Sequence, residues 1–232
     1  MKKPIIGIVA RPDTIKTQRT CMQTLERYRL AIVKCGGNPI IILPTQIVEY
    51  EKEETKDVPD LTEEEKEDLI SQIKLCDGIL LPGGDRIFYY DLFITQYALD
   101  NDIPILGICM GMQTMGIVDN GDYNCLTDVL DKDMHKKDLE GNCFHKIKIE
   151  ENSTLYSIVG EKEYEVNSIH AKVLPYLTNA KVTSTSTNNE IEAIEFESKR
   201  FAIGVQWHPE LMINNDEKME KLFRRFIEVA IK

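Results

Sequence analysis

Short, wholly apolar runs alternate with amphipathic stretches through the first half of the chain. PIIGIV (Pro4 to Val9) is rich in β-branched residues, the composition of a strand buried on both faces. From about Thr20 to Lys34 the apolar positions follow a helical pattern. Cys35-Gly36-Gly37-Asn38 then supplies glycines where a helix end wants left-handed backbone. PIIILP (Pro39 to Pro44) predicts a second buried strand. DGILLPGGD (Asp77 to Asp85) predicts a third, running into a glycine loop, and PILGI (Pro104 to Ile108) a fourth. Helices are expected over Asp91 to Leu99 and from Met110 onward. Alternation of this kind implies a parallel sheet with right-handed crossovers.

The second half has a different texture. Val118 to Asn142 is polar and without a clear period, so a long surface loop with short elements is expected. HKIKIE (His145 to Glu150) alternates as a half-exposed strand does. VTSTSTN (Val182 to Asn188), IEAIEF (Ile191 to Phe196) and FAIGVQW (Phe201 to Trp207) succeed one another at turn-length separations that suggest antiparallel pairing. Glu217 to Ile231 is an amphipathic closing helix. With no internal repeat and no low-complexity linker, one domain over residues 1–232 is the simplest organisation.

Charge narrows the partners. The formal net charge is -11, which argues against nucleic acid and against an anionic membrane. Glu49 to Glu67 is strongly acidic and reads as a solvated loop entering a helix, with Thr62 as N-cap and Glu65 as its capping-box partner. The apolar run at the N-terminus leads into Arg11-Pro12-Asp13, unlike a cleavable signal, and no stretch is long enough for a membrane span, so a cytoplasmic protein is expected. The six cysteines are expected to be reduced thiols in such a setting. No Cys-x-x-Cys pair occurs, and the His/Cys spacing, Cys143 and His145 included, matches no common zinc pattern. No metal and no organic cofactor are expected.

Candidate chemistry centres on GICMGMQ (Gly107 to Gln113). Gly-x-Cys-x-Gly at the end of a buried strand has the form of a nucleophile elbow, which would set Cys109 at a helix N-terminus where the thiolate is favoured. A cysteine beside glycines is by itself an ordinary structural residue. The downstream GVQWHPE changes that reading. Pro209 biases His208 toward extended backbone, and if that backbone continues, His208 and Glu210 face the same side. Glu210 could then hold one ring nitrogen while the other faces the thiol. Upstream, Pro82-Gly83-Gly84-Asp85 offers bare backbone at the end of the preceding strand. The N–H groups of Gly84 and Met110 are the expected oxyanion hole.

Together these segments resemble the class I glutamine amidotransferase-like superfamily, with its Cys-His-Glu triad. YRLAIVKCGGNPIIILP (Tyr28 to Pro44), the LPGGD loop, HKIKIEENSTLYSIVG and VNSIH (Val166 to His170) occur in the order seen in gamma-glutamyl-gamma-aminobutyrate hydrolases, the peptidase C26 family. The resemblance runs from Pro4 to about Glu210. It implies a single flavodoxin-like three-layer α/β domain: a mostly parallel central sheet, helices on both faces, and an additional antiparallel strand region in the second half. It also implies that Cys109 attacks a γ-glutamyl amide to form a thioester, that His208 moves the proton, and that Glu210 orients His208. Gln113, Ser168 and His170 match positions by the glutamyl pocket. The expected partner is a small γ-glutamyl amide; a homo-oligomer is neither required nor excluded.

The departures fall around the substrate. Ala171 and Lys172 stand where the family often has histidine and glutamine, and Met110 where arginine is common. The glycine loop continues as DRIFYYD, with Tyr89 or Tyr90 in the aromatic position. They leave the released amine open. Two other readings fit the same residues: a glutaminase subunit feeding ammonia to a separate synthetase, and a non-catalytic binding protein on this fold.

Overall fold

A computed structural model describes residues 2–14, 19–47, 60–132, 135 and 143–231. Its centre is a nine-stranded sheet. Strands β1 (Ile5–Val9), β4 (Asn38–Ile42), β5 (Gly78–Leu81), β6 (Ile105–Ile108) and β13 (Ala202–Val205) form a parallel block in the order β4-β1-β5-β6-β13. The sheet then continues antiparallel through β12 (Ile191–Glu195), β11 (Lys181–Ser186), β8 (Phe144–Ile149) and β9 (Glu163–Asn167). The antiparallel region expected in the second half is therefore one arm of the main sheet, and β13 is the hinge strand between the two halves.

Two apolar layers explain why the early strands are apolar throughout. Ile6, Ile8, Leu80, Leu106 and Ile108 face one core with helices α1 (Glu26–Lys34) and α7 (Glu217–Ala230). Val9, Ile79, Leu81 and Ile105 face a second core with α2 (Glu63–Ile73), α3 (Tyr89–Asp100) and α4 (Met110–Asn120). Successive residues of one strand point to opposite faces, so burial on both sides demands an unbroken apolar run. The Thr62–Glu65 capping box expected from sequence is present in full at the start of α2. Most of the acidic segment before it, residues 48–59, lies outside the described residues.

Several boundaries differ from expectation. The helix expected from Thr20 begins only at Glu26. Thr20–Gln23 is strand β3, paired antiparallel with β2 (Arg11–Thr14) as a separate hairpin. Thr20 is β-branched and stiff in a helix, and the backbone of Arg11–Thr14 offers the alternative partner. Helix α3 starts ahead of Asp91, because the Asp91 side chain accepts from the Phe88 N–H at 2.9 Å. Helix α4 carries on to Asn120, where Gly121 ends it in left-handed backbone. Beyond Gly121 the chain forms a loop with a two-residue strand, β7 (Thr127–Asp128), paired with β10 (Lys172–Val173). The rest of the expected loop lies partly outside the described residues. Helix α5 (Thr154–Val159) and strand β9 are additions that the hydrophobic pattern does not predict. Ser153 caps α5 through the Tyr156 N–H, and Gly160 closes it in left-handed backbone.

Candidate active site

The carboxyl ends of β5, β6 and β13 bring together the three segments that carry the expected chemistry. Cys109 directly follows β6 and is the N-cap of α4, with φ 52° and ψ −108°. Positive φ on a non-glycine residue costs about 1–3 kcal/mol and persists only where surrounding structure imposes it. Here the imposing contact is visible: a Cβ at Gly111 would meet the Leu81 carbonyl oxygen at 2.2 Å, so the first turn of α4 presses against β5. The strained turn raises the Cys109 side chain out of the sheet plane.

His208 reaches the thiol from the end of β13. Its own backbone is non-helical, as expected before Pro209, but the extended run does not continue to Glu210. His208 is an N-cap with φ −109° and ψ 82°, Pro209 opens the short helix α6 (Pro209–Met212), and Glu210 lies in its first turn. Proline suits this place because its fixed φ fits a first helical residue and no N–H is lost from the ladder. Glu210 still reaches the ring by folding back: His208 Nδ1–H donates to Glu210 Oε1 at 2.7 Å. That leaves Nε2 for Cys109. Burial disfavours the imidazolium, but the Glu210 carboxylate and the neighbouring Cys109 raise the His208 pKa well above its usual value. The arrangement favours the charged form of the imidazole.

The backbone donors sort themselves by what is already taken. The Gly83 N–H donates to the Tyr28 hydroxyl at 2.9 Å, and the Cys109 N–H to the Val205 carbonyl at 2.8 Å. Among the described residues the Gly84 and Met110 N–H groups have no such protein acceptor, as an oxyanion hole requires. Gly83 also has no room for a side chain: a Cβ there would meet His208 Cε1 at 2.8 Å and the Tyr28 hydroxyl at 3.1 Å. Two cavities flank this loop. One, of about 760 Å³, is lined by Cys109, Met110, Gln113, Tyr89, His170 and Lys172. The other, of about 440 Å³, is lined by Arg11, Tyr28, Gly83 and Gly84.

The remaining sequence-predicted residues divide. Gln113 lines the larger cavity, but its amide nitrogen is held by the Lys172 carbonyl at 2.8 Å and by Gln206 Oε1 at 3.1 Å. His170 lines it as well. Ser168 does not: it is fully buried, and its hydroxyl bonds His135 Nδ1 at 2.7 Å. A hydroxyl so placed contacts the protein interior rather than the cavity. Tyr89 fills the aromatic position of the cavity, while Tyr90 is buried with its hydroxyl on the Ala10 carbonyl.

Four further residues join the site without having been singled out by sequence reasoning. Asn167 clamps the His208 backbone at both ends, accepting from its N–H at 2.8 Å and donating to its carbonyl at 2.9 Å. Gln206 Nε2 donates to Cys109 Sγ at 3.6 Å and supports negative charge there. Tyr28 accepts from the Gly83 N–H beside Glu210, and burial together with that carboxylate holds its phenol well above the usual range. Arg11 pairs with buried Asp91 and donates to the Pro82 carbonyl at 3.0 Å, which fixes the root of the glycine loop. Asn167 and Gln206 lie inside the motif segments VNSIH and GVQWHPE. Tyr28 opens the segment YRLAIVKCGGNPIIILP, and nothing local marks Arg11.

Comparison with known proteins bears on this geometry. The family model described as Peptidase C26 matches residues 89–210. The gamma-glutamyl-gamma-aminobutyrate hydrolase PuuD of Escherichia coli (strain K12) is 28% identical, over 98% of this chain and 93% of that protein. A CTP synthase of Latilactobacillus sakei is 29% identical over 70% of this chain, a match confined to 36% of the synthase. A glutamine amidotransferase from Thermotoga maritima superposes with a TM-score of 0.60 at 13% identity, covering 100% of both chains, and shares the fold.

Proposed function

The chain belongs to the Peptidase C26 family of glutamine amidotransferase-like hydrolases, and we propose that it cleaves the γ-glutamyl amide bond of a γ-glutamyl amine through a thioester on Cys109. The observation that carries the reading is the convergence of a strained cysteine, a carboxylate-held imidazole and two free backbone donors at adjacent strand ends. The likeness to the γ-glutamyl-γ-aminobutyrate hydrolase over nearly the whole of both chains supports the substrate class.

In this reading each group has one task. The Cys109 thiolate attacks the γ-carbonyl, and the oxygen's new charge falls to the Gly84 and Met110 N–H groups. His208, protonated and hydrogen-bonded to the sulfur, gives its Nε2 proton to the departing nitrogen as the C–N bond breaks. Amine leaves and the γ-glutamyl thioester remains. Neutral His208 then takes a proton from water, whose oxygen attacks the thioester carbonyl. Glutamate departs, and the thiolate and imidazolium are restored. Glu210 keeps Nδ1 protonated throughout and so presents Nε2 to the reacting atoms. The backbone donors and the protein's own acid and base suffice for acyl transfer.

The test is a mass-spectrometric hydrolysis screen of γ-glutamyl amides, including γ-glutamyl-γ-aminobutyrate and glutamine. Cys109-dependent release of glutamate is the expected outcome, and the substrate that gives it names the amine. Turnover unchanged in Cys109→Ala would overturn the nucleophile. Turnover of glutamine alone, and only with a synthetase present, would favour an ammonia-delivering subunit, the reading suggested by the match to part of a CTP synthase.

A further inference from the structure

Behind the cavity wall lies a second group of histidines and glutamates that the proposed reaction does not use. His135, His145, His170 and the neighbouring pair Glu190 and Glu192 come from four segments, and all are buried, with Glu192 fully so. Part of the group is wired. His135 contacts Glu190 Oε2 through Nε2 at 2.9 Å and the Ser168 hydroxyl through Nδ1 at 2.7 Å.

The other part is not. Among the described residues, neither oxygen of Glu192, neither ring nitrogen of His145, nor His170 Nε2 has a hydrogen-bond partner. Glu192 Oε1 lies 3.4 Å from His145 Nε2 and 3.7 Å from His170 Nε2. Those separations exceed the roughly 2.7–3.2 Å of an N–H···O bond. They suit two ligands of one metal, which at about 2.0–2.1 Å each from a tetrahedral ion lie some 3.4 Å apart. Buried polar atoms without partners are rare and costly, so several converging on one spot call for an occupant.

The tautomer of His170 strengthens the case. Its Nδ1 faces the Lys172 carbonyl at 3.3 Å. A carbonyl only accepts, so Nδ1 carries the hydrogen and Nε2 presents a lone pair in the neutral ring. That lone pair faces a carboxylate oxygen, which is also an acceptor. Two buried acceptors facing each other repel unless a cation or a proton lies between them.

We propose that His135, His170 and Glu192 bind one divalent transition-metal ion of the zinc class. One donor atom from each lies within 4.8 Å of the others. Small movements would close this set to metal-bond distances. His135 would keep Glu190 on one nitrogen and release the Ser168 hydroxyl, the neutral and rotatable partner, from the other. Glu190, the Lys172 carbonyl and His145 then serve as the outer shell that orients the three ligands. Two imidazoles and one carboxylate favour zinc, cobalt or nickel over the hard ions magnesium and calcium. The ion would clasp the segment bearing His135 to the turn bearing His170 and so stiffen the cavity wall that His170 lines.

The experiment is metal analysis of the purified full chain, then Co²⁺ titration of the chelator-stripped protein read by visible absorbance. It is done on the Cys109→Ala chain, so that binding at the thiol is removed and the result does not depend on the hydrolase reading. About one transition-metal ion per chain, or a saturable Co²⁺ spectrum at one equivalent, is expected. His170→Ala should weaken Co²⁺ binding at least 100-fold, and the near-isosteric Glu192→Gln about 10–100-fold; Mg²⁺ should not compete. Circular dichroism checks that each variant folds, and Glu190→Gln, which removes no ligand, should weaken binding less than either. No metal on isolation together with no Co²⁺ spectrum, or a spectrum that survives Glu192→Gln, would overturn the site. The cluster would then be a proton-sharing network with water between its members.

Discussion

His208 and Glu210 stand 2.7 Å apart on one short stretch of chain, whereas His170 and Glu192 stand 3.7 Å apart and arrive from different parts of it. Both pairs are an imidazole and a carboxylate, and both lie near the same cavity. In the first, a short hydrogen bond fixes the tautomer and raises the imidazole pKa, so the ring can hold and pass a proton. In the second, a backbone carbonyl takes the hydrogen, the pKa falls, and a lone pair is left exposed to the carboxylate. Residue type is therefore a poor guide to role. The partner of the other ring nitrogen decides whether a histidine acts as an acid-base group or as a donor to a cation.

The sharpest break between the two clusters is expected on removing the nucleophile. Cys109→Ala should abolish turnover, a loss of about 10⁴-fold or more in kcat, with the fold retained in circular dichroism. His208→Ala should cost a similar amount. Glu210→Gln should cost roughly ten to a hundredfold less than His208→Ala, because it removes the orienting charge and leaves the base. Equal losses for the two would show that Glu210 does more than orient. Asn167→Ala removes both clamps on the His208 backbone. We expect kcat to fall by about 10²-fold, the scale of a small misplacement of a reacting group, with little change in KM. Single-turnover kinetics would check it.

The extent to which these features can be read from sequence also differs between the two halves. In the parallel half each strand is a local apolar run, and the elbow, the glycine loop and the His208-Pro209-Glu210 turn are each contiguous. Their chemistry is legible because a few neighbouring residues carry it. The capping box at Thr62 is legible for the same reason. The hairpin of Arg11–Thr14 with Thr20–Gln23 escapes detection because a short half-exposed strand and the lead-in to a helix share one hydrophobic pattern. Past His208 the chain turns helical instead of continuing extended, yet the contact with Glu210 is kept, since extended chain and a helical first turn both bring the carboxylate within reach. The buried cluster is invisible. His135, His170 and Glu192 match no metal spacing, because the fold rather than chain proximity gathers a turn, a loop and a strand at one point.

Smaller effects sharpen the contrast. Tyr28→Phe keeps the ring in the core and removes the hydroxyl that accepts from Gly83 and faces Glu210. A roughly tenfold loss in kcat is expected beside a stability loss of about 1 kcal/mol from the Gly83 N–H left without its acceptor; a loss of stability alone would reduce Tyr28 to a structural residue. His208 offers the finest test. Its raised pKa comes from two negative neighbours working against burial, so Cys109→Ala and Glu210→Gln should each lower it in an NMR titration, while Glu192→Gln should leave it unmoved. A raised folded value means that His208 contributes fully to stability below its unfolded value of about 6.5, and that this contribution fades as pH rises through the folded value. The stability gap between wild type and Glu210→Gln should accordingly narrow as pH climbs through that range.

The most direct measurement is intact-protein mass spectrometry of the enzyme mixed with γ-glutamyl-γ-aminobutyrate and quenched in acid, with the modified peptide then sequenced. One glutamyl group attached to Cys109, absent from Cys109→Ala and lost on neutralisation as glutamate forms, is the expected result. Glutamate release with the adduct on another residue, or undiminished in Cys109→Ala, would contradict the nucleophile elbow on which the proposed reaction rests.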